Sequence, residues 1–236
     1  RLPPSFERMV HGFRWLRDLE SGGQRVQCTQ VAERILGTWM AANPKPDPTP
    51  AWDVGNVGHR LLNWLVHAPL LLSGNDRAFR GKFLRTIDET ARWLDRNVTK
   101  ADDRLSEVAG WCALVAAGLI MADGKARCLF SEAGLVRALG ELVSDDGGVL
   151  SRSPLCQIEA IELLVALRAC YEAVRAEPLP QIVTMLGLLV PPLLALLHGD
   201  GGLGNWQGAG AVGHDRIDAL IKITGVRTRP LRDARQ

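Results

Sequence analysis

An all-α fold is predicted by three features of the sequence. Apolar residues recur at three- and four-residue spacing through nearly every long segment, alternating strand patterns between Gly or Asn turns are almost missing, and glycines stand where helices have to stop. The spacing predicts helices over 6–20, 24–42, 57–73, 77–97, 103–122, 128–143, 154–174, 178–198 and 213–223. Gly22 and Gly23, Gly74 and Gly124 fall where the first, third and fifth must stop. In the third, Arg60, Trp64 and His67 fall at i, i+4 and i+7 and share one face. The seventh opens on Ser153 as an N-cap, with Pro154 at the first helical position and Gln157 in the opening turn. The eighth carries the apolar run from Ile182 to Leu197. That run is shorter than a bilayer needs and holds Pro191 and Pro192, so it reads as a core helix and not a membrane span.

Loop lengths organise these helices. The connections after the first, third, fifth and seventh are "SGG", "GND", "DGKAR" and "RAE", short enough for tight hairpins. Those after the second, sixth and eighth, at 43–56, 144–153 and 199–212, are long and rich in Pro, Gly or polar residues; 98–102, after the fourth, is the exception. In a stack of antiparallel helical hairpins successive turns alternate between the two ends, so the long loops are expected to share one rim. Two of them repeat Asp-Gly-Gly, as "SDDGGVLSRSP" at 144–154 and "GDGGLGNWQG" at 199–208. They are expected to be neighbours, with glycines that leave room for another group to approach the backbone. The alternative is that both are plain helix C-caps whose aspartates are solvated or bonded to nearby amides.

Composition narrows the partners. A chain of 236 residues with 47% hydrophobic content can bury a substantial core and fits one large domain better than two small ones. A formal charge of +2 without a block of like charges gives no reason to expect nucleic acid. The 23 arginines against five lysines suit bidentate recognition of carboxylate or sulfate, although a GC-rich genome produces the same bias. Cys28, Cys112, Cys128, Cys156 and Cys170 lack CxxC spacing and read as small buried hydrophobes. Histidines 11, 59, 67, 198 and 214 form no HxxxH or HxH pair, and "GDGGLGNWQGAGAVG" has neither a preceding strand nor the Lys-Ser/Thr ending of a phosphate loop. No metal and no cofactor are therefore expected. No signal peptide is visible, and the chain opens on Arg1, so the compartment stays open.

The stretches "DGGVLSRSP", "LLVALRACYEAV" and "LLHGDGGLGNWQG", with the earlier "FRWLRDL" and "HRLLNWLVHAPLLL", resemble the helical domain of the heparinase II/III family of polysaccharide lyases over roughly residues 5 to 235. The resemblance implies an incomplete α/α toroid of antiparallel helical hairpins occupying 1–236 as one domain. It also implies a C-terminal β-sandwich domain in the parent chain, beginning where this sequence stops at "RPLRDARQ". The implied activity is β-elimination of acidic, uronate-containing polysaccharides, and the periplasm is favoured over the cytoplasm. That chemistry needs a neutral or cationic group on the uronate carboxylate, a Tyr or His base and usually a tyrosine acid.

The departures from the family pattern carry equal weight. Where such lyases often show His after Asp-Gly-Gly and a Tyr-His pair after Ser-Pro, this chain has Val149, Cys156 and Gln157. Its single tyrosine, Tyr171, lies toward the far end of the following helix. No catalytic residue is assigned, and the isolated chain is expected to be inactive.

The candidate substrate-binding residues are Asp146, Arg152, Gln157, Asp200, Asn205, Trp206, Gln207, Arg60 and Trp64. Arg152 is placed to pair with a carboxylate, or else pairs with Asp145 or Asp146. The Gln157 amide can donate or accept. Asn205, Trp206 and Gln207 set an aromatic face between two amides, which suits a sugar ring, or Trp206 plugs the interior. The Arg60 and Trp64 face lines a cleft, or the pair stacks in the core. Two further functions stay open. One is a glycoside hydrolase using Asp146 and Asp200 as its acid and base; the other is a non-catalytic glycan-binding relative that lost its acid and base.

Overall fold

The structure, a computed structural model, describes residues 4–198, 202–203 and 212–227. Its α-helices among the described residues are α1 (Pro4–His11), α2 (Leu16–Ser21), α3 (Arg25–Ala42), α4 (Val54–Val66), α5 (Ala68–Leu71), α6 (Arg77–Asn97), α7 (Arg104–Ile120), α8 (Lys125–Leu142), α9 (Pro154–Ala173), α10 (Pro180–Ala195) and α11 (His214–Thr224). Short 3-10 turns at Pro50–Trp52 and Val98–Lys100 lead into α4 and α7. The fold is all-α, as the spacing predicts; the described residues add two isolated antiparallel bridges, Val143 to Val149 and Leu197 to Leu203. None of the described helices is long and apolar enough to cross a membrane. The chain forms two compact units, Arg1–Ser131 and Glu132–Gln236.

In the first unit, α7 is the core element. Every residue from Glu107 to Gly118 is buried, so this helix is wrapped on all sides, as its "EVAGWCALVAAG" composition requires. Its partner α4 approaches closely because small residues face each other. A Cβ on Gly58 would sit 2.6 Å from the Ala109 carbonyl carbon and the Gly110 nitrogen, and one on Gly110 would sit 2.8 Å from Val98 Cγ2. Caps set where α6 and α7 begin: the Asp76 carboxylate accepts from Phe79 N–H at 2.9 Å, and that of Asp103 from Ser106 N–H at 2.8 Å.

Two predicted helices are broken. The segment 6–20 splits at Gly12–Trp15, where Phe13 takes a left-handed φ of 56°. The break drives the Phe13 ring into the core, edge-on to Trp39 at 5.4 Å and to Trp64 at 5.3 Å. Burying that ring is worth roughly 2–3 kcal/mol, which offsets about 1–2 kcal/mol for a left-handed non-glycine residue. The segment 57–73 begins three residues earlier, at Val54, and breaks at His67, because Pro69 lacks an N–H and its ring excludes the carbonyl four residues back.

In the second unit, α9 packs against both α10 and α11. Arg168 of α9 donates to the Thr224 carbonyl at 2.8 Å and to that of Ile223, holding the end of α11. Glu162 accepts from Arg216 Nη2 at 2.7 Å. The Tyr171 hydroxyl donates to Glu132 at 2.6 Å, which occupies the chain's single tyrosine with a structural bond.

Candidate functional site

The segment 143–157 is built by its glycines and one glutamine. After α8, Val143 pairs with Val149, and the loop closes through Ser144 N–H to the Gly148 carbonyl at 2.9 Å and Gly147 N–H to the Ser144 carbonyl at 2.9 Å. Gly147 has φ +79°, and a Cβ there would lie 2.0 Å from the Leu188 carbonyl oxygen of α10, so both backbone and contact demand glycine. Gln157, in the first turn of α9, points back beneath the loop. Its Oε1 accepts from Val149 N–H at 2.8 Å, and its Nε2 donates to the carbonyls of Gly147 at 3.0 Å and Leu189 at 2.8 Å.

This placement corrects the expectation for Gln157. With 2% of its surface exposed and both ends of the amide bonded to backbone, the side chain holds the loop to α10 and has nothing left to offer a ligand. Val149 is buried beside it, and Ser153 occupies the N-cap position without a side-chain cap bond.

Asp146 and Arg152 take the paired arrangement weighed above. Asp146 Oδ1 accepts from Gly148 N–H at 3.0 Å and Oδ2 from Arg152 Nη1 at 2.8 Å. The Gly148 N–H, and after it the Arg152 guanidinium, hold the Asp146 carboxyl below the usual carboxylate range. Arg152 adopts φ +53°, and its Nη1 lies where a Cβ on Gly148 would be, 2.4 Å from that position. The guanidinium is thus laid across a bare glycine and pinned on one nitrogen, while the residue stays 42% exposed. A non-glycine residue held left-handed costs on the order of 1–3 kcal/mol, a cost met most often at functional loops. Cys156, at α9's start, is half-buried.

The second Asp-Gly-Gly loop opens and closes the same way. Leu197 bridges Leu203, and His198 N–H donates to the Gly202 carbonyl at 2.9 Å. In both loops the bridging residues are six apart, and the residue after the first bonds the residue before the last. Asp200, Asn205, Trp206 and Gln207 lie outside the described residues. The first loop rests on α10 at Leu188, Leu189 and Pro192. The second loop begins just after α10 ends at Ala195, three residues beyond Pro192.

Arg60 and Trp64, in the first unit, are placed differently from a cleft-lining pair. Both are fully buried, so they contribute no exposed surface to a sugar groove, and the core stacking weighed for them is what the structure contains. The Arg60 guanidinium carbon lies 4.4 Å from the Trp39 ring centroid, 5.1 Å from that of Trp52 and 5.6 Å from that of Trp64. Its Nη1 donates to the carbonyls of Ala51 at 2.7 Å and His11 at 3.2 Å. Burial pushes its pKa down to about 9, which leaves it a cation at neutral pH. His67 is drawn to Glu20 at 2.6 Å instead. Sequence reasoning missed the roles of Trp39 and Trp52, since no spacing rule links Arg60 to a turn residue eight positions earlier or to a residue of the preceding α3.

No family model matches the chain, and no curated protein matches it in sequence. Its fold, by contrast, has solved counterparts. It resembles the crystal structure of heparinase III with a TM-score of 0.66 at 15% identity, over 85% of this chain and 33% of that one. It also resembles heparan sulfate lyase HepC from Pedobacter heparinus, with a TM-score of 0.57 at 16% identity, over 82% of this chain and 32% of that one. A further heparinase III gene product gives 0.62 at 15% identity, over 93% and 42%. The chain therefore spans between a third and about two fifths of the solved chains whose fold it shares.

Proposed function

We propose that this chain is the helical part of a heparinase III-like polysaccharide lyase, arranged as an incomplete α/α toroid, and that it binds acidic, uronate-containing glycans at the rim formed by its two Asp-Gly-Gly loops. The observation that carries the reading is Arg152, an exposed guanidinium pinned over Gly148 by Asp146 beside α10. One nitrogen is held by the protein and the other edge is left for a carboxylate or sulfate, the groups an Arg fork matches best. The likeness in fold to heparinase III and heparan sulfate lyase structures supports the same substrate class. Asn205, Trp206 and Gln207 belong to this proposal as the sugar-facing part of the second loop.

Binding without turnover is the form of this function that the described residues favour for the isolated chain. Val149 and Gln157 carry no titratable group, and the Tyr171 hydroxyl is bonded to Glu132, so none of the three provides a ready base or acid. In the hydrolase reading Asp146, held below its ordinary range, is a poor proton donor at neutral pH and is left only the role of base. Calorimetry of the chain with heparan, alginate and glucuronan oligosaccharides tests the proposal. Saturable binding that weakens about tenfold or more in Arg152→Ala is expected, as for loss of a charge-assisted hydrogen bond. Absence of binding across the panel refutes it. A parallel assay for an unsaturated uronate product, with the full-length parent protein, decides whether turnover accompanies binding.

A further inference from the structure

The helix α1 is lightly fastened to the first unit. None of residues 6–11 is buried, and its large apolar side chains, Phe6 and Met9, are 42% and 41% exposed. Burial begins at Gly12 and Phe13, whose ring is seated edge-on to Trp39 and Trp64. Two bonds at the last residue of α1 tie it to the core. The buried Trp39 of α3 donates from Nε1 to His11 Nδ1 at 3.2 Å, and the His11 carbonyl accepts from Arg60 Nη1 at 3.2 Å. An indole nitrogen only donates, so Nδ1 is bare and the imidazole is neutral, with its proton on Nε2. A second proton has to go to Nδ1. There it faces the Trp39 N–H, two donors across one gap, and adds a cation beside the Arg60 guanidinium.

We propose that α1 is a strap that detaches from the first unit on acidification, with the His11–Trp39 bond as its catch and Gly12 as its hinge. The strap stands apart from the glycan reading. It packs against α4 and the Pro50–Trp52 turn, and the charges that bear on His11 come from both and from α1 itself. Burial, and after it Arg60 of α4, hold the His11 imidazole below its ordinary value of 6.5; Glu7 of α1 and Asp53, which follows the turn, pull the other way and are outweighed. Asp53 is in turn pushed up by burial, Asp102 and Glu7 and pulled down by His11. His59 of α4 and Arg14 flank Gly12. Because the folded value is the depressed one, the catch is whole above about 6.5 and is lost as pH falls from there through the folded value. Phe13 stays seated in its aromatic cluster, so the movement ends at Gly12 and carries Phe6 and Met9 away with the strap.

Hydrogen exchange of the whole chain between about pH 7.5 and 5, corrected for the intrinsic rate, tests this together with NMR of the Trp39 indole N–H and the His11 ring. Protection of the indole N–H and of the α1 amides is expected to fall by up to about tenfold per pH unit below about 6.5, the limit for one proton, while α7 keeps its protection. His11→Asn sets a carbonyl oxygen that does not titrate where Nδ1 stands, and is expected to hold protection level across the range. Trp39→Phe keeps a ring in the cluster and removes the donor. It should lower α1 protection at pH 7.5 about fivefold and move the His11 midpoint up toward 6.5, which keeps the strap testable if the asparagine variant fails to fold. Three results overturn it: protection unchanged down to pH 5, a pH response that survives in folded His11→Asn and so belongs to another group such as His59 or His67, or an indole N–H that stays protected after His11 has titrated.

Discussion

Replacing Gln157 with leucine removes the one side chain that ties the first Asp-Gly-Gly loop to both α9 and α10. The substitution is close in size, so the cost is chiefly one of hydrogen bonding. It orphans the Val149 N–H and the Gly147 carbonyl, both buried, and takes from the Leu189 carbonyl the bond it makes beyond its own helix. At about 1–3 kcal/mol for each of the two unsatisfied groups, the gross loss is roughly 2–6 kcal/mol. Apolar burial of the leucine returns about 1 kcal/mol, and relaxation of the loop toward water returns more. A net destabilisation of about 3 kcal/mol is expected, a large share of the roughly 5–15 kcal/mol that domains usually possess. Tryptophan emission is the wrong assay, because six of the seven tryptophans lie in the other unit. Urea unfolding followed by circular dichroism is expected to show an early transition shifted by about 1 M or more for a slope of about 1–3 kcal/mol per molar. Hydrogen exchange should place the lost protection at Val149. A shift below about 0.3 M with Val149 still protected would show that Gln157 does not carry the loop.

Three other perturbations test separate parts of the structure. Gly58→Leu places side-chain atoms where the Ala109 and Gly110 backbone lies, 2.6 Å from the new Cβ, and should destabilise the first unit by about 3 kcal/mol or more, read from tryptophan emission during unfolding. Asp146 has its folded pKa depressed, so its contribution to the loop is complete above the unfolded value of about 4 and is lost as pH falls through the folded one. Carboxyl titration by NMR should find its midpoint below that of an ordinary aspartate in the wild type and moved back up toward it after Arg152→Ala plus Gly148→Pro. Thiol labelling at pH 8 should modify Cys156 first. Cys28, Cys112, Cys128 and Cys170 should stay protected until unfolding, since all four are buried and burial drives the Cys170 thiol up to about 12.

What the sequence made legible was local chemistry. Pro154 at the head of α9, Gly74 before α6 and the apolar spacing of α3 and α6 fix boundaries within a residue or so of those predicted, because caps and periodicity act over a single turn. The break at Phe13 was not legible, since its cause is an aromatic cluster assembled from α3 and α4. The break at His67 was available in Pro69 and was overridden by the apolar periodicity around it. Gln157 shows a further limit: a polar residue in the first turn of a helix reads the same whether its amide faces solvent or reaches under the preceding loop. The shared geometry of the two Asp-Gly-Gly loops did have a signal, in the apolar residues six apart that flank each of them.

Gln157 also bears on how this chain departs from the lyases it resembles. At a position where that resemblance implies a histidine, a neutral imidazole provides one donor and one acceptor, whereas the Gln157 amide serves one backbone N–H and two carbonyls at once. Gln157→His would therefore leave at least one of those groups unpaired while seeking a histidine that faces substrate. Restoring a base at 157 without first re-securing the loop should lower stability before it raises any rate. In the proposed function recognition in this unit falls instead to Arg152, whose ion pair with Asp146 uses none of the groups that Gln157 bonds, and the proposal takes the two to act independently. If Gln157→Leu weakens glycan binding far more than its effect on stability accounts for, that independence fails, and the loop as a whole, not Arg152 alone, is the recognition element.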